Sequence, residues 1–269
     1  MRRTRSETKS NRNLDDDPQT TAAPSSSRIS FRARKIPRLT LTNKAPSSTI
    51  AKPLTFEGEM EIALNHLRNA DPLLAPWIDT LNPPQLNNNH TPFFSLIKSI
   101  ISQQLSNKAA HAIESRFVSL CGGLVSVLPD VVLSLSPQQL RHVGISGPKA
   151  SYLHDLASKY DTGVLSDSSI LEMDDDTLSE RLTSVKGIGP WSVHMFMIFT
   201  LHRPDVLPVG DLVVRRGVER LYGLKALPKP SQMETLCRKW KPFSSVASWY
   251  MYRLVEAKGV LPNATVTQQ

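Results

Sequence analysis

Residues 185–192 read Val185-Lys186-Gly187-Ile188-Gly189-Pro190-Trp191-Ser192, and this stretch decides the fold. Its two glycines, one residue apart, permit positive φ and close approach of another backbone. Ile188 between them is the apolar pin that would hold such a turn against its flanking helices. Pro190 suits the first turn of a helix, where its missing N–H would have been unpaired anyway. The stretch therefore predicts a tight turn between two helices. The amides of Gly187, Ile188, Gly189, Trp191 and Ser192 are expected to point outward at a helix N-terminus, which makes a ready phosphate site. The carbonyls of residues 185–190, turned the other way, suit a monovalent cation such as Na⁺ or K⁺. An ordinary helix–helix turn with neither ligand satisfies the same pattern.

The sequence around the turn predicts helices almost throughout. Upstream, Leu140-x-x-Val143-Gly144-Ile145-Ser146-Gly147-Pro148 has the same rhythm as Leu182-x-x-Val185-Lys186-Gly187-Ile188-Gly189-Pro190. Apolar residues at helical spacing mark 56–69, with Met60, Ala63, Leu64 and Leu67 on one face. Residues 72–89, with Pro83-Pro84 and Asn87-Asn88-Asn89, read as an exposed loop. Thr91 and Ser106 are expected N-caps, the second for a helix over 107–120 that stops at Cys121-Gly122-Gly123. A short helical turn is expected from Pro129, and further helices over 137–140, 148–159, from Asp174 or Asp175 to 184, 190–201, 211–221, 231–240 and 244–258. No window alternates like a strand. The class is all-α, with at least nine helices.

Charge divides the 269 residues into a tail and a body. Residues 1–52 hold 12 Lys and Arg against 4 acids, a net +8, whereas residues 53–269 hold 20 of each sign. A polybasic coat is thereby excluded as a description of the whole chain. The tail is rich in Ser, Thr, Arg and Pro with Phe31 its sole aromatic, a composition expected to stay disordered. Its basic clusters Arg2-Arg3-Thr4-Arg5 and Arg32 to Arg38 suit a nuclear address or a DNA tether, with a plastid or mitochondrial transit peptide as the alternative. The body at 53–260 is long enough for one large core or two joined lobes, and 261–269 reads as a flexible C-terminus. Two cysteines, Cys121 and Cys237, exclude a disulfide scaffold and a four-cysteine metal site. Apolar runs are too short for a membrane span. Seven histidines show no metal-binding spacing, so no side-chain metal site and no required cofactor is expected.

The pattern Leu-x-x-Val-Lys-Gly-Ile-Gly-Pro-Trp-Ser resembles the helix-hairpin-helix of the HhH-GPD DNA glycosylases, and within them the alkylation-repair branch of 3-methyladenine DNA glycosylase II type. That family carries an Asp about twenty residues after the hairpin, and Leu207-Pro208-Val209-Gly210-Asp211-Leu212 offers Asp211. Ile100-Ile101-Ser102-Gln103-Gln104-Leu105-Ser106 is similar to its Gln-rich helix junction. Trp240-Lys241-Pro242-Phe243-Ser244-Ser245-x-Ala247 is similar to its C-terminal pattern. The likeness spans about residues 55 to 258. It implies a fold of two helical lobes flanking an active-site cleft.

The resemblance also implies roles. Asp211 would be the catalytic carboxylate, stabilising positive charge on the deoxyribose and orienting water; from the sequence alone it is equally an N-cap. Trp191, Tyr252 and Met195 would wall a pocket for the flipped base, although helical core packing would place them as well. Lys186, Gly187, Ile188, Gly189 and Ser192 would grip DNA at the hairpin. Gln104 or Leu105 would be the wedge that fills the space the base leaves. Bifunctional relatives carry a lysine where this chain has Trp191, so the implied reaction is base release without strand cutting. The expected partner is duplex DNA containing alkylated bases, bound by a monomer, with abasic-site repair enzymes acting afterwards. A different base specificity, a non-catalytic helix-hairpin-helix module and a helical protein-interaction domain are the rival readings.

Overall fold

The computed structural model describes residues 52–86 and 90–258; the basic tail, Asn87 to Asn89 and the C-terminal residues lie outside that description. The described residues form thirteen α-helices and no strand. In chain order these are α1 (Glu59–Ala70), α2 (Ala75–Thr80), α3 (Pro92–Ser102), α4 (Asn107–Leu120), α5 (Pro129–Ser134), α6 (Pro137–His142) and α7 (Gly147–Asp161). There follow α8 (Asp167–Glu172), α9 (Asp175–Thr183), α10 (Pro190–Phe199), α11 (Leu212–Leu221), α12 (Pro230–Leu236) and α13 (Ser244–Glu256).

Most helices begin where the local chemistry directs. Thr91 accepts the Phe94 amide, Ser106 the Ala109 amide, and Asp174 the Thr177 amide, each satisfying a first-turn donor with no intrahelical partner. Ser136 and Gln139 cap each other's backbone in a reciprocal box. Two helices escaped the sequence reading. α2 lies within the expected loop, where Pro76 sits in the first turn and Trp77 and Ile78 are buried. α8 is opened by a Ser166–Ser169 box and buries Ile170. The helix expected over 231–240 is instead α12 followed by a 3₁₀ turn at Arg238–Trp240.

Two hydrophobic cores result. One gathers α3 to α10 around Phe93, Ile97, Phe117, Leu153, Leu182 and Phe196. The other joins α1 and α2 to α11, α12 and α13 around Leu67, Trp77, Val218, Trp240 and Tyr250. The chain thus leaves its first lobe with α10 and re-enters the second at α11. Ser245 fastens this crossing, donating its hydroxyl to the Arg203 carbonyl at 2.6 Å and accepting the Val206 amide at 3.0 Å. Within the second lobe α11 and α13 approach unusually closely. A Cβ on Gly217 would lie 2.8 Å from the Met251 Cα, so only glycine fits there. Asp71 is fully buried and accepts from Trp240 Nε1 at 2.8 Å and from the Tyr222 hydroxyl, with Lys239 Nζ 3.2 Å away. The Trp240 of the C-terminal pattern is therefore a core residue, and Asp71 is a buried carboxylate that no sequence pattern disclosed.

Candidate active site

Asp211 stands at the N-terminus of α11, one step past the crossing between lobes, and is 6% exposed. Its Oδ1 accepts the amides of Val213 and Val214, both at 2.8 Å. Its Oδ2 accepts Trp191 Nε1 at 2.6 Å and the Tyr252 hydroxyl at 2.9 Å. The carboxylate is both an N-cap and the meeting point of two aromatic side chains from α10 and α13. Four donors fill a group that offers about four acceptor positions. The helix end also favours negative charge at this place. Burial, and then the neighbouring carboxylate, raise the Tyr252 pKa far above the ordinary phenol value, so its hydroxyl remains a donor.

Trp191, Tyr252 and Met195, expected together, are brought together. The Tyr252 hydroxyl lies 3.4 Å from Met195 Sδ, and Trp191 is one helical turn before Met195. Trp191 is no core residue, being 54% exposed. It lines a cleft of 750 Å³ with Met195, Lys149, Tyr152, Gln104 and Leu105. The cleft departs from expectation in one respect: α3, α7 and α10 of the first lobe line it, and Asp211 and Tyr252 do not. Trp191 is the link, with its side chain on the cleft wall and its Nε1 on Asp211.

The hairpin is built as expected in outline and differs in detail. Gly187 takes φ +80, but Gly189 takes φ −101, so only the first glycine uses the left-handed region. The Ile188 amide, expected to face outward, donates back to the Val185 carbonyl at 3.1 Å, and the Ile188 side chain is buried. The amides of Gly187, Gly189, Trp191 and Ser192 have no acceptor among the described residues, which leaves four donors at the start of α10. Ser192 itself is 8% exposed. Lys186 does not stand free beside them. Its amide donates to Asp155 Oδ2 at 2.9 Å, and its Nζ lies 3.8 Å from Asp155 Oδ1. Burial opposes charge on Asp155, yet the Lys186 amide and Lys159 together hold its pKa below the usual value.

The Gln-rich junction projects beside the hairpin. Gln104 has φ +57, a left-handed conformation that is costly for a residue with a side chain, and it is exposed. Leu105 next to it is 37% exposed. Gln103 turns the other way and donates Nε2 to the Gly187 carbonyl at 2.8 Å. Lys149, from α7, donates to the carbonyls of Ile101 and Gln103, both at 2.7 Å. Gln103 carried no assigned role in the Gln-rich junction and Lys149 was not singled out; the Gly-Pro that precedes Lys149, matching Gly189-Pro190, was the one available signal.

Other polar groups sort themselves structurally. Asp205 accepts from the amide and hydroxyl of Ser244 and so caps α13. Asp175 lies 3.6 Å from the buried Arg203. His194 lines a separate hollow with Asp205 and Lys241, and burial lowers its pKa. Burial pushes the thiols of Cys121 and Cys237 up to about 11 and about 12, which keeps both protonated and unreactive.

Comparison with known proteins agrees with this fold. The protein is 31% identical over 194 residues to DNA-3-methyladenine glycosylase 1 of Schizosaccharomyces pombe, covering 72% of this chain and 85% of the relative. The solved structure of the Schizosaccharomyces pombe 3-methyladenine DNA glycosylase Mag1 with abasic DNA superposes with a TM-score of 0.64 at 29% identity, over 72% of this chain and 97% of that one. A DNA-3-methyladenine glycosidase from Bacillus halodurans gives a TM-score of 0.66 at 32% identity, over 76% of this chain and 91% of the other. Residues 97–243 match the family described as HhH-GPD superfamily base excision DNA repair protein, and they run from within α3, through the hairpin and Asp211, to the start of α13. The chain belongs to the HhH-GPD superfamily of base excision DNA repair proteins.

Proposed function

We propose that this protein is a monofunctional DNA glycosylase that hydrolyses the N-glycosidic bond of alkylated purines in duplex DNA, of the 3-methyladenine and 7-methylguanine type. The observation that carries the reading is the meeting of Trp191 and Tyr252 on one oxygen of Asp211. Relatives named as 3-methyladenine glycosylases, one of them solved with abasic DNA, support the substrate class.

In this mechanism the four free amides at residues 187, 189, 191 and 192 hold phosphates of the DNA backbone. Gln104 enters the gap in the stack, since it is exposed on the cleft wall beside the hairpin. The extruded purine lies against Trp191 in the cleft, where an aromatic face attracts a cationic alkylated base. As the bond from C1′ to the base nitrogen breaks, its electron pair leaves with the base and positive charge grows on the sugar. Asp211 stabilises that charge and orients a water whose oxygen attacks C1′. Both Asp211 oxygens are filled in the resting protein, so one donor must withdraw. The half-exposed Trp191 is the donor free to do so, and its movement toward the base opens Oδ2 to the sugar and water.

Strand cutting would need a neutral amine aimed at C1′. Trp191 holds the position where such a lysine would stand, and the lysine in the cleft, Lys149, spends its ammonium on two carbonyls. A Na⁺ or K⁺ fits the hairpin, because the Val185 and Gly187 carbonyls each accept one hydrogen bond and retain a second lone pair. No step runs through it. The product is an abasic site, so a phosphodiester-cleaving enzyme for abasic sites must follow. The basic tail adds salt-dependent, sequence-independent attraction and a nuclear address, around a monomeric body.

Asp211→Asn tests the reading. Asparagine keeps an oxygen for the Val213 and Val214 amides, so the variant should fold and bind duplex DNA normally. Release of 3-methyladenine from methylated duplex should fall by about 10²–10³-fold. With the unaltered protein, strand breaks should appear only after alkali. Tight binding with no base released from methylated, uracil-containing or oxoguanine-containing duplex would refute catalysis.

A further inference from the structure

Three residues of a single helix, Lys149, Tyr152 and Asp155, join the hairpin to the Gln104 loop, and Gln103 joins the two directly. α3 ends at Ser102, and the carbonyls of a helix's last turn have no intrahelical partners. Lys149 Nζ takes two carbonyls at this end, those of Ile101 and Gln103. The residue that follows is Gln104, in its left-handed conformation. Tyr152, one turn along α7 from Lys149, presses its ring on the hairpin: a Cβ on Gly187 would lie 2.2 Å from Tyr152 Cδ2. A turn further, Asp155 accepts the Lys186 amide. Each step of three residues keeps neighbouring contacts on adjoining faces, so the three contacts span about 120° of the α7 surface. Gln103 Nε2 on the Gly187 carbonyl closes the circuit directly between loop and hairpin.

We propose that α7 sets the spacing between the hairpin's phosphate grip and the Gln104 wedge, with Lys149 as the positioning residue for base extrusion. The proposal rests on the reading of this chain as a glycosylase acting on duplex DNA. A wedge fills the gap left by a base only at a fixed distance from the phosphates that hold the strand. A residue with positive φ relaxes unless its surroundings hold it. Lys149 supplies that restraint: an ammonium has three donors and no acceptor, and a cation suits the negative end of α3. Arginine at this position keeps charge and donors, whereas methionine keeps the length of the stem and loses both.

The full chain, Lys149→Met and Lys149→Arg are compared on three probes. Fluorescein-labelled undamaged duplex reports the hairpin grip. A duplex with 2-aminopurine beside a tetrahydrofuran abasic analogue reports wedge insertion through its fluorescence. Methylated duplex reports base release. Lys149→Met should keep undamaged-duplex affinity and KM within about twofold, while kcat falls about tenfold or more, because a small misplacement near the reacting atoms is enough. The 2-aminopurine response should fall with kcat, and Lys149→Arg should recover at least about half of both. Loss of undamaged-duplex binding in parallel with kcat, or an unchanged 2-aminopurine response, would overturn the proposal. Should Lys149→Met melt early, Gln103→Met removes the other strut and faces the same criteria. If the unaltered protein releases no base, the glycosylase reading fails by itself, and the 2-aminopurine comparison still decides the role of Lys149.

Discussion

The turn at residues 143–148 and the turn at residues 185–190 share a rhythm and differ in what they face. Both place a glycine in the left-handed region, Gly144 at φ +102 and Gly187 at φ +80, just before a buried isoleucine. Both lead into a helix with proline in its first turn. The first turn is closed on its Gly144 side by the protein itself. Arg116 Nε donates to the Val143 carbonyl at 2.9 Å, and Ile113 and Arg116 cover the Gly144 Cα. The second is covered on its Gly187 side by Tyr152 of α7, the helix that the first turn begins. Its Gly189 side meets nothing, as does the Gly147 side of the first turn, and among the described residues four amides lack an acceptor here against three at the first turn, those of Ser146, Gly147 and Lys149. On the proposed reading one motif serves as a strut and its repeat as a grip, and the strut's helix supports the grip. The shared pattern sets the backbone; the residues packed around it set the use.

Alanine substitutions at the glycines can break this distinction. Gly187→Ala should have the largest effect. Its Cβ would enter the Tyr152 ring at an unfavourable φ, so unfolding free energy should drop by about 2–3 kcal/mol. Duplex binding should weaken with it, because the hairpin must shift. Denaturant melts and fluorescence anisotropy would check both. Gly144→Ala should cost less stability, about 1–2 kcal/mol, since Ile113 and Arg116 Nη2 at 3.1 Å are flexible side-chain ends that can yield. Its affinity for undamaged duplex should not change. A clear loss of DNA affinity in folded Gly144→Ala would mean that the first turn also grips DNA, and the division would fail.

Where a single residue type carries its meaning locally, the sequence disclosed the structure. Thr91, Ser106 and Asp174 are caps, Pro190 opens α10, and Gly187 has the positive φ its turn demands. α2 was hidden because Pro83-Pro84 and Asn87-Asn88-Asn89 made all of 72–89 read as loop, although proline, here Pro76, is welcome in a helix's first turn. α8 has six residues, too few to display a periodicity. Asp211, Trp191, Met195 and Tyr252 could be named from the family resemblance, but not that two of them share one oxygen of the first. Lys149 was illegible because its partners lie 46 and 48 residues upstream in the chain. The fate of the Lys186 amide was equally out of reach, since Asp155 is 31 residues away. Long-range hydrogen bonds leave no period and no spacing to read.

Gly189→Ala should have the smallest effect and separates grip from strut most cleanly. At φ −101 and ψ 173 alanine is unstrained, and its Cβ meets no atom within 4 Å. Removing a glycine from such a position stiffens the unfolded chain, so stability should stay level or rise by about 0.4–1 kcal/mol. The methyl group would nevertheless project from the residue between the free amides of Gly187 and those of Trp191 and Ser192, at the proposed phosphate contact. Affinity for undamaged duplex should therefore fall by about tenfold, the equivalent of one crowded anion contact. The loss should appear equally with any sequence, since backbone amides read phosphate and not bases. Undiminished binding by a stable Gly189→Ala protein would show that DNA does not approach the hairpin from this side. The open amides would then be a consequence of starting a helix, with no more role in binding than those of the first turn.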